Sequence, residues 1–148
     1  MLNTVSIGDV GETYAIFEFT RHNAIISKPL TNNARYDLIV EVNHRIYRVQ
    51  VKTTNCIKDG KMEFSTASTN YVKGNWDKNI YSTNEVDLIF LYCVENNWCG
   101  LLLPEENMFP KSVSIRLEPP KNNQKVGIRL ADAYSFNKQF EKLDAPVA

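Results

Sequence analysis

Cysteine is scarce and badly arranged for chemistry. Cys56, Cys93 and Cys99 form an odd, irregularly spaced set with no C-x-x-C pair, so neither a zinc ribbon nor a disulfide framework is supported. Reduced, mostly buried thiols are expected. The two histidines, His22 and His44, stand alone, with no serine or cysteine constellation around them to suggest a triad. Glycine and proline number six each, too few for a collagen-like or Pro/Gly-rich chain. The N-terminal "MLNTVSIGDVGE" has no basic cluster and no apolar run, and no segment approaches the length of a membrane span. These absences predict a soluble, intracellular protein. A length of 148 residues predicts a single domain (1–148) with a genuine core.

Net charge is also lacking: 17 basic residues meet 17 acidic ones. The distribution is uneven, however. From Arg45 to Lys61 the basic residues Arg45, Arg48, Lys52, Lys58 and Lys61 face only Asp59. From Lys111 to Arg129, Lys111, Arg116, Lys121, Lys125 and Arg129 face only Glu118. The stretch between contains Glu85, Asp87, Glu95, Glu105 and Glu106. A neutral total therefore permits a basic surface suited to a polyanion.

What is present reads as mixed α/β. Ser6 can cap a helix running to about Arg21, with Asp9 in its first turn and Ile7, Val10, Tyr14 and Phe17 on one stripe. Glu12 lies at helical spacing from Ala15, Ile16 and Phe19, where a carboxylate needs a cation, a metal or a donor. "AIISKPL" (24–30) reads as a short strand. The Ser/Thr/Asn-rich segment 55–84 predicts a short helix and a long loop. "EVDLIFLYCVE" (85–95) is a buried strand, followed by "WCGLLLP" (98–104). "SVSIRLEPPKNNQKVGIRL" predicts a hairpin around a Pro/Asn/Gln-rich turn, with a helix near 131–143.

The most informative stretch is "NARYDLIVEVNHRIYRVQVKTTN" (33–55). A turn centred on Asn43-His44 sets Val42 opposite Arg45 and, counting outward, Asp37 opposite Gln50. Tyr36, Leu38, Val40, Val42, Tyr47, Val49 and Val51 then share a core face, which fixes the register. Asp37, Gln50 and Lys52 share the other. An ordinary polar hairpin face has the same alternation. An acid, an amide and a lysine backed by a packed sheet also make a site for a divalent cation beside a phosphate. Asp37 supplies a hard oxygen, and the Gln50 amide or the Val51 carbonyl supplies more. Lys52 can orient or activate a water and stabilise developing charge. Glu12 is a further anion that binds metal directly, acts through water, or holds Lys52.

These residues resemble the PD-(D/E)XK nuclease motif. Asp37 stands as the motif acid, Gln50 at the (D/E) position and Lys52 as the motif lysine. "GDVGE", with Glu12, is similar to the helix glutamate of resolvases and intron nucleases in that superfamily. The fuller pattern ("G-x-x-G-E", "ARYDLIVEV", "YRVQVKTT", "VDLIFLY") is most similar to the PD-(D/E)XK homing endonucleases encoded in bacterial group I introns.

The resemblance implies a restriction-endonuclease-like αβββαβ core with a mixed sheet and an added C-terminal β-hairpin. Residues 107–148 would form an extension for DNA contact or assembly. It also implies Mg²⁺-dependent cleavage of double-stranded DNA, a catalytic set of Glu12, Asp37, Gln50 and Lys52, and a metal held by Glu12, Asp37 and Val51. A homo-oligomer (a tetramer) in the bacterial cytoplasm follows on the same ground.

Gln50 departs from the usual carboxylate, so Glu12, Glu41 or Glu63 would have to compensate, or the chain binds DNA without cutting. A structure-selective resolvase or a restriction-type nuclease of the same fold is the neighbouring alternative. No LAGLIDADG, GIY-YIG or HNH run is present. Expected DNA contacts are Lys73 and Lys78 in one loop, and Lys121, Asn122, Asn123, Gln124 and Lys125 in the C-terminal hairpin.

Overall fold

The computed structural model describes residues 3–145. It opens with helix α1 (Thr4–Arg21). Asn3, not Ser6, is the N-cap: its side chain accepts from the Ser6 amide at 2.9 Å, which places Ser6 and not Asp9 in the first turn. The helix ends where Asn23 turns left-handed (φ 64°). Its buried positions are Gly11, Ala15 and Phe19, spaced by four, whereas Phe17 is 54% exposed, so the expected stripe is rotated. A Cβ at Gly11 would strike the Thr53 hydroxyl and press on Val51, so glycine here is what lets the helix backbone lie against the sheet. That close approach carries the neighbouring Glu12 to the end of the hairpin.

The strands follow as β1 (Ile25–Ser27), β2 (Leu38–Val42), β3 (Arg45–Thr54), β4 (Ile57–Lys58), β5 (Lys61–Ser65), β6 (Ser68–Val72), β7 (Asn75–Asn79), β8 (Leu88–Cys93), β9 (Trp98–Leu102), β10 (Ser112–Arg116) and β11 (Arg129–Leu130). Two helices, α2 (Ala131–Tyr134) and α3 (Phe136–Asp144), close the chain. One sheet has the order β1-β2-β3-β8-β9 and a second the order β11-β10-β5-β4, while β6-β7 stands apart as a ribbon. The β2-β3 register is Leu38↔Val49 through Val42↔Arg45, as the turn counting requires. Asn43 and His44 both have positive φ (49° and 65°), the signature of a two-residue type I′ turn.

Two expectations fail. No helix joins β3 to β8, although they pair in parallel. The crossover is instead two hairpins, β4-β5 and β6-β7, turning at Asp59-Gly60 and Lys73-Gly74, all four at positive φ. The C-terminal hairpin is also absent. β11 pairs with β10 in parallel (Ile115↔Arg129): β5 holds one edge of β10, and the long loop 117–128 carries the chain back so that β11 enters the other edge running in the same direction.

The architecture is thus mixed α/β in three layers: α1 and α3 on one face of the five-stranded sheet, the four-stranded sheet on the other. The first core joins Ala15, Phe19, Val49, Val51, Phe90, Phe136 and Phe140. The second joins Met62, Phe64, Tyr81, Ile89, Leu91, Phe109 and Ile115. Tyr36 packs on this second core rather than with Leu38 and Val40, since regular pairing starts only at Leu38. Both faces of β3 and β8 are covered, so Gln50 and Lys52, beside Ile89 and Leu91 in the ladder, lie at the rim of a hydrophobic layer and not in open water.

Arg48 locks the start of the parallel ladder. Its Nε and Nη2 donate to the two Asp87 oxygens at 2.9 and 3.0 Å, and its backbone amide donates to Oδ2 at 2.7 Å. Burial pushes the Asp87 carboxyl up, but the Arg48 hydrogen bonds prevail and hold it below its usual value. The folded state therefore binds that proton less tightly than the unfolded chain. The stabilisation is present above the ordinary carboxylate range and is lost as pH falls through the lowered value. Asp87→Ala should cost about 1–2 kcal/mol at pH 7, a part-exposed pair being screened by solvent. Denaturant unfolding at pH 7 and near pH 3 checks this: the difference between variant and wild type should shrink in acid.

Candidate active site

β2 is the shorter partner of the hairpin, and the site forms where it runs out. Asp37 sits one residue before it. Its amide donates to the Val49 carbonyl at 2.8 Å, and its own Oδ2 accepts from the Val51 amide at 2.8 Å. The carboxylate thus occupies the place of the next ladder acceptor. In a strand the N–H and C=O of one residue point to the same side, so the Val51 carbonyl also opens toward the gap. The Gln50 Nε2 lies 3.4 Å from that carbonyl oxygen, which leaves Oε1 as the end of the amide available to a cation.

Two clefts meet at Asp37. One, of about 270 Å³, is lined by Glu12, Lys28, Pro29, Asn32, Tyr36 and Asp37. The other, of about 670 Å³, is lined by Asp37 and Gln50 together with Asn32, Arg35, Ser68, Asn79, Tyr81 and Glu85. Asp37 is common to both. Glu12, arriving on the helix side, is bound to Lys28 at 3.1 Å and so does not hold Lys52. Its charge still acts on the Asp37 carboxyl, pushing it upward.

Lys52 lies behind the larger cleft. Its ammonium points to the Ala67 carbonyl at 3.4 Å and stands 5.3 Å from the centre of the Tyr81 ring. Both residues are buried, which explains the electrostatics. Burial pushes Lys52 below its usual pKa, partly offset by Asp37 and reinforced by Arg35. Burial raises Asp37 above 3.8, opposed by the Val51 amide and by Lys52. An acid shifted up in the cleft and a base shifted down just behind it are the pattern of a site built for a ligand rather than for stability.

Glu41 and Glu63, the other acids considered as replacements for a carboxylate at Gln50, line neither cleft. Glu63 sits on the second sheet, 3.4 Å from the Ser114 hydroxyl and 3.7 Å from Lys61 Nζ. No group of three or more His, Cys, Asp or Glu residues able to hold a metal occurs among the described residues. The donors gathered at Asp37 are one or two carboxylates, a backbone carbonyl and an amide oxygen. This hard, sparse set suits Mg²⁺, which keeps several waters and is completed by substrate phosphate.

The polar loop residues fall in two places. Lys73 and Lys78 belong to β6-β7, whose base, at Ser68 and Asn79, lines the larger cleft. Trp76 on that ribbon is 74% exposed, so it is not core. Lys121, Asn122, Asn123, Gln124 and Lys125 are exposed in the loop 117–128 and line neither cleft at Asp37. Lys28, Arg35 and Tyr81 were missed by sequence reasoning. Arg35 stood in plain view beside the motif acid, whereas Lys28 and Tyr81 needed the β1-β2 pairing and the path of the crossover, which local patterns did not supply.

A helix packed on a mixed sheet, with an acid, an amide and a lysine at the gap between its central strands, is the frame of a phosphodiester-cleaving nuclease. The chain belongs to the PD-(D/E)XK endonuclease family, whose profile matches residues 2–137, and it is accordingly an endonuclease, a DNA phosphodiester hydrolase. Among solved structures it is similar to the bacterial homing endonuclease I-Ssp6803I, at 19% identity and a TM-score of 0.76, over 97% of this chain and 94% of that one. That likeness supports a restriction-endonuclease-like fold. No curated protein matches the sequence. No helix is long and apolar enough to cross a membrane among the described residues.

Proposed function

We propose that the protein is a Mg²⁺-dependent, site-specific endonuclease of double-stranded DNA, of the intron-homing kind. The observation that carries this reading is Asp37, whose carboxylate stands at the junction of two clefts with the Val51 carbonyl and Gln50 beside it, and with the Lys52 charge acting on it from behind the larger cleft. Asp37 and the Val51 carbonyl would hold the cation, with Gln50 Oε1 as a further oxygen and Glu12 acting from the helix side. When bound, Mg²⁺ would neutralise phosphate charge and acidify a water. Lys52, its ammonium desolvated by burial and so held below its usual pKa, orients that water and offsets charge on the phosphate oxygens. Tyr81 and Ala67 keep bulk water from its far side.

DNA is held on this reading by Lys73 and Lys78 on the β6-β7 ribbon, with Lys121, Asn122, Asn123, Gln124 and Lys125 as a second contact within the extension 107–148. A homo-oligomer would present one such cleft to each strand; the resemblance to intron nucleases favours a tetramer. Plasmid linearisation in Mg²⁺ but not in chelator is the expected result. Preference for a four-way junction over linear duplex would instead assign a resolvase, and binding without nicking a silent module.

Gln50 sets a quantitative expectation. An amide oxygen contributes no negative charge, so Gln50→Glu should strengthen cation binding roughly tenfold, ligand charge being what tunes affinity at such sites. A titration of cleavage rate against Mg²⁺ checks it: the half-saturating concentration should fall, and an unchanged value would remove Gln50 from the cation's surroundings.

A further inference from the structure

The ribbon β6-β7 is an unusual object. All its residues from Thr69 to Asn79 are exposed, including Tyr71 (61%), Val72 (55%) and Trp76 (74%). A two-stranded hairpin alone is marginal in water, and what steadies this one is the Tyr71–Trp76 pair across its strands, with ring centres 5.0 Å apart, and the anchorage at its base. That anchorage is Arg35. Its guanidinium donates to the Ser68 hydroxyl at 3.0 Å and the Asn79 carbonyl at 3.2 Å, and these two residues face each other as the first pair of the ribbon. It also binds Glu85 at 2.7 Å, on the approach to β8. Its guanidinium carbon lies over the Tyr81 ring, 4.4 Å from the ring centre, and Lys52 stands beside the same ring.

We propose that Arg35 is a positioning residue that latches the β6-β7 ribbon to the catalytic cleft, so that seating the ribbon in a groove of duplex DNA sets the place of Lys52 through the shared Tyr81 ring. This rests on the nuclease reading above. A planar fork that reaches two atoms of the ribbon base and a carboxylate at once is something lysine cannot supply. The major groove admits a two-stranded ribbon, and one that carries Lys73 at its turn, exposed Tyr71, Val72 and Trp76 just below it and Lys78 nearer its base is suited to such a site. Arg35 is also two residues from Asp37, so a shift of the ribbon base reaches both sides of the cleft within one short segment.

The test is a double-mutant cycle on the single-turnover cleavage rate at saturating duplex and Mg²⁺, with duplex Kd measured separately and melting temperatures confirming the fold. One arm is Arg35→Gln. The other replaces residues 71–76 by Asn-Gly, which closes the ribbon directly above the Asn70↔Asp77 pair. Each change is expected to slow cleavage by on the order of tenfold or more, and the double variant should be no slower than the slower single one, within about twofold. Multiplying effects would overturn the latch, because Arg35 would then act without the ribbon. Should Arg35→Gln fail to fold, Ser68→Ala with Glu85→Gln removes two of its partners and must give the same non-additivity. A wild-type protein that cuts while the effects multiply sinks the latch alone; one that neither cuts nor binds duplex sinks the nuclease reading with it.

Discussion

Lys52→Met is expected to lower single-turnover DNA cleavage by at least about a thousandfold, since it removes both a water-orienting group and a charge beside the phosphate. The same variant should bind duplex nearly as well as wild type, because the contacts proposed for binding lie on the ribbon and the C-terminal loop. It should also melt no lower. Burial depresses the Lys52 pKa, so the folded state holds that proton less tightly than the unfolded chain. Charged Lys52 therefore costs stability below its ordinary value of 10.5, a cost that fades only as pH rises through the depressed value. Methionine keeps the stem and discards the charge. Lost activity at undiminished stability is the mark of a residue kept for chemistry. A clear fall in melting temperature would instead give Lys52 a structural role.

Asp37→Asn carries the other large effect. Asparagine retains an oxygen that can accept from the Val51 amide, so the end of the hairpin should hold, while cation affinity falls by more than about a hundredfold and cleavage with it. Here too the folded protein should be at least as stable. Burial raises the Asp37 carboxyl, so the ionised form costs stability above the raised value, and the cost vanishes as pH falls below it. Cation binding should correspondingly weaken in acid from a higher pH than an unburied aspartate would give, the carboxylate being the form that binds. Isothermal titration with Mg²⁺ and cleavage assays across pH check both statements. Retained cutting by both the Asp37 and Lys52 variants would refute the assignment of the site.

The register of the hairpin was legible because two constraints agreed. Asn43-His44 accepts the left-handed backbone of a tight turn, and a one-residue slip would bury Arg48 and Gln50 among Phe19 and Phe90. The crossover was not legible in the same way. Residues 55–84 are polar because β6-β7 is exposed and β4-β5 are short, so apolar alternation scarcely develops. The Asp-Gly and Lys-Gly pairs at its two turns were nevertheless in the sequence, and the first is a strong hairpin signal flanked by "CIK" and "KMEF". At the C-terminus a Pro/Asn/Gln-rich turn suggested a hairpin, but strand direction depends on how the long loop 117–128 re-enters the sheet, and the edge it finds free is decided by β5 far away in sequence. Glu12 was placed on the right helix. Its engagement with Lys28 rather than Lys52 follows from the pairing of β1 with β2 (Ser27↔Ile39), which a three-residue strand does not announce.

Anomalous scattering from crystals of the protein with duplex DNA and Mn²⁺ in place of Mg²⁺ bears most directly on where the chemistry happens. The predicted result is a peak within coordination distance of an Asp37 carboxylate oxygen and the Val51 carbonyl, with a DNA phosphate alongside. A peak at Glu41 or Glu63 with none at Asp37 would contradict the account.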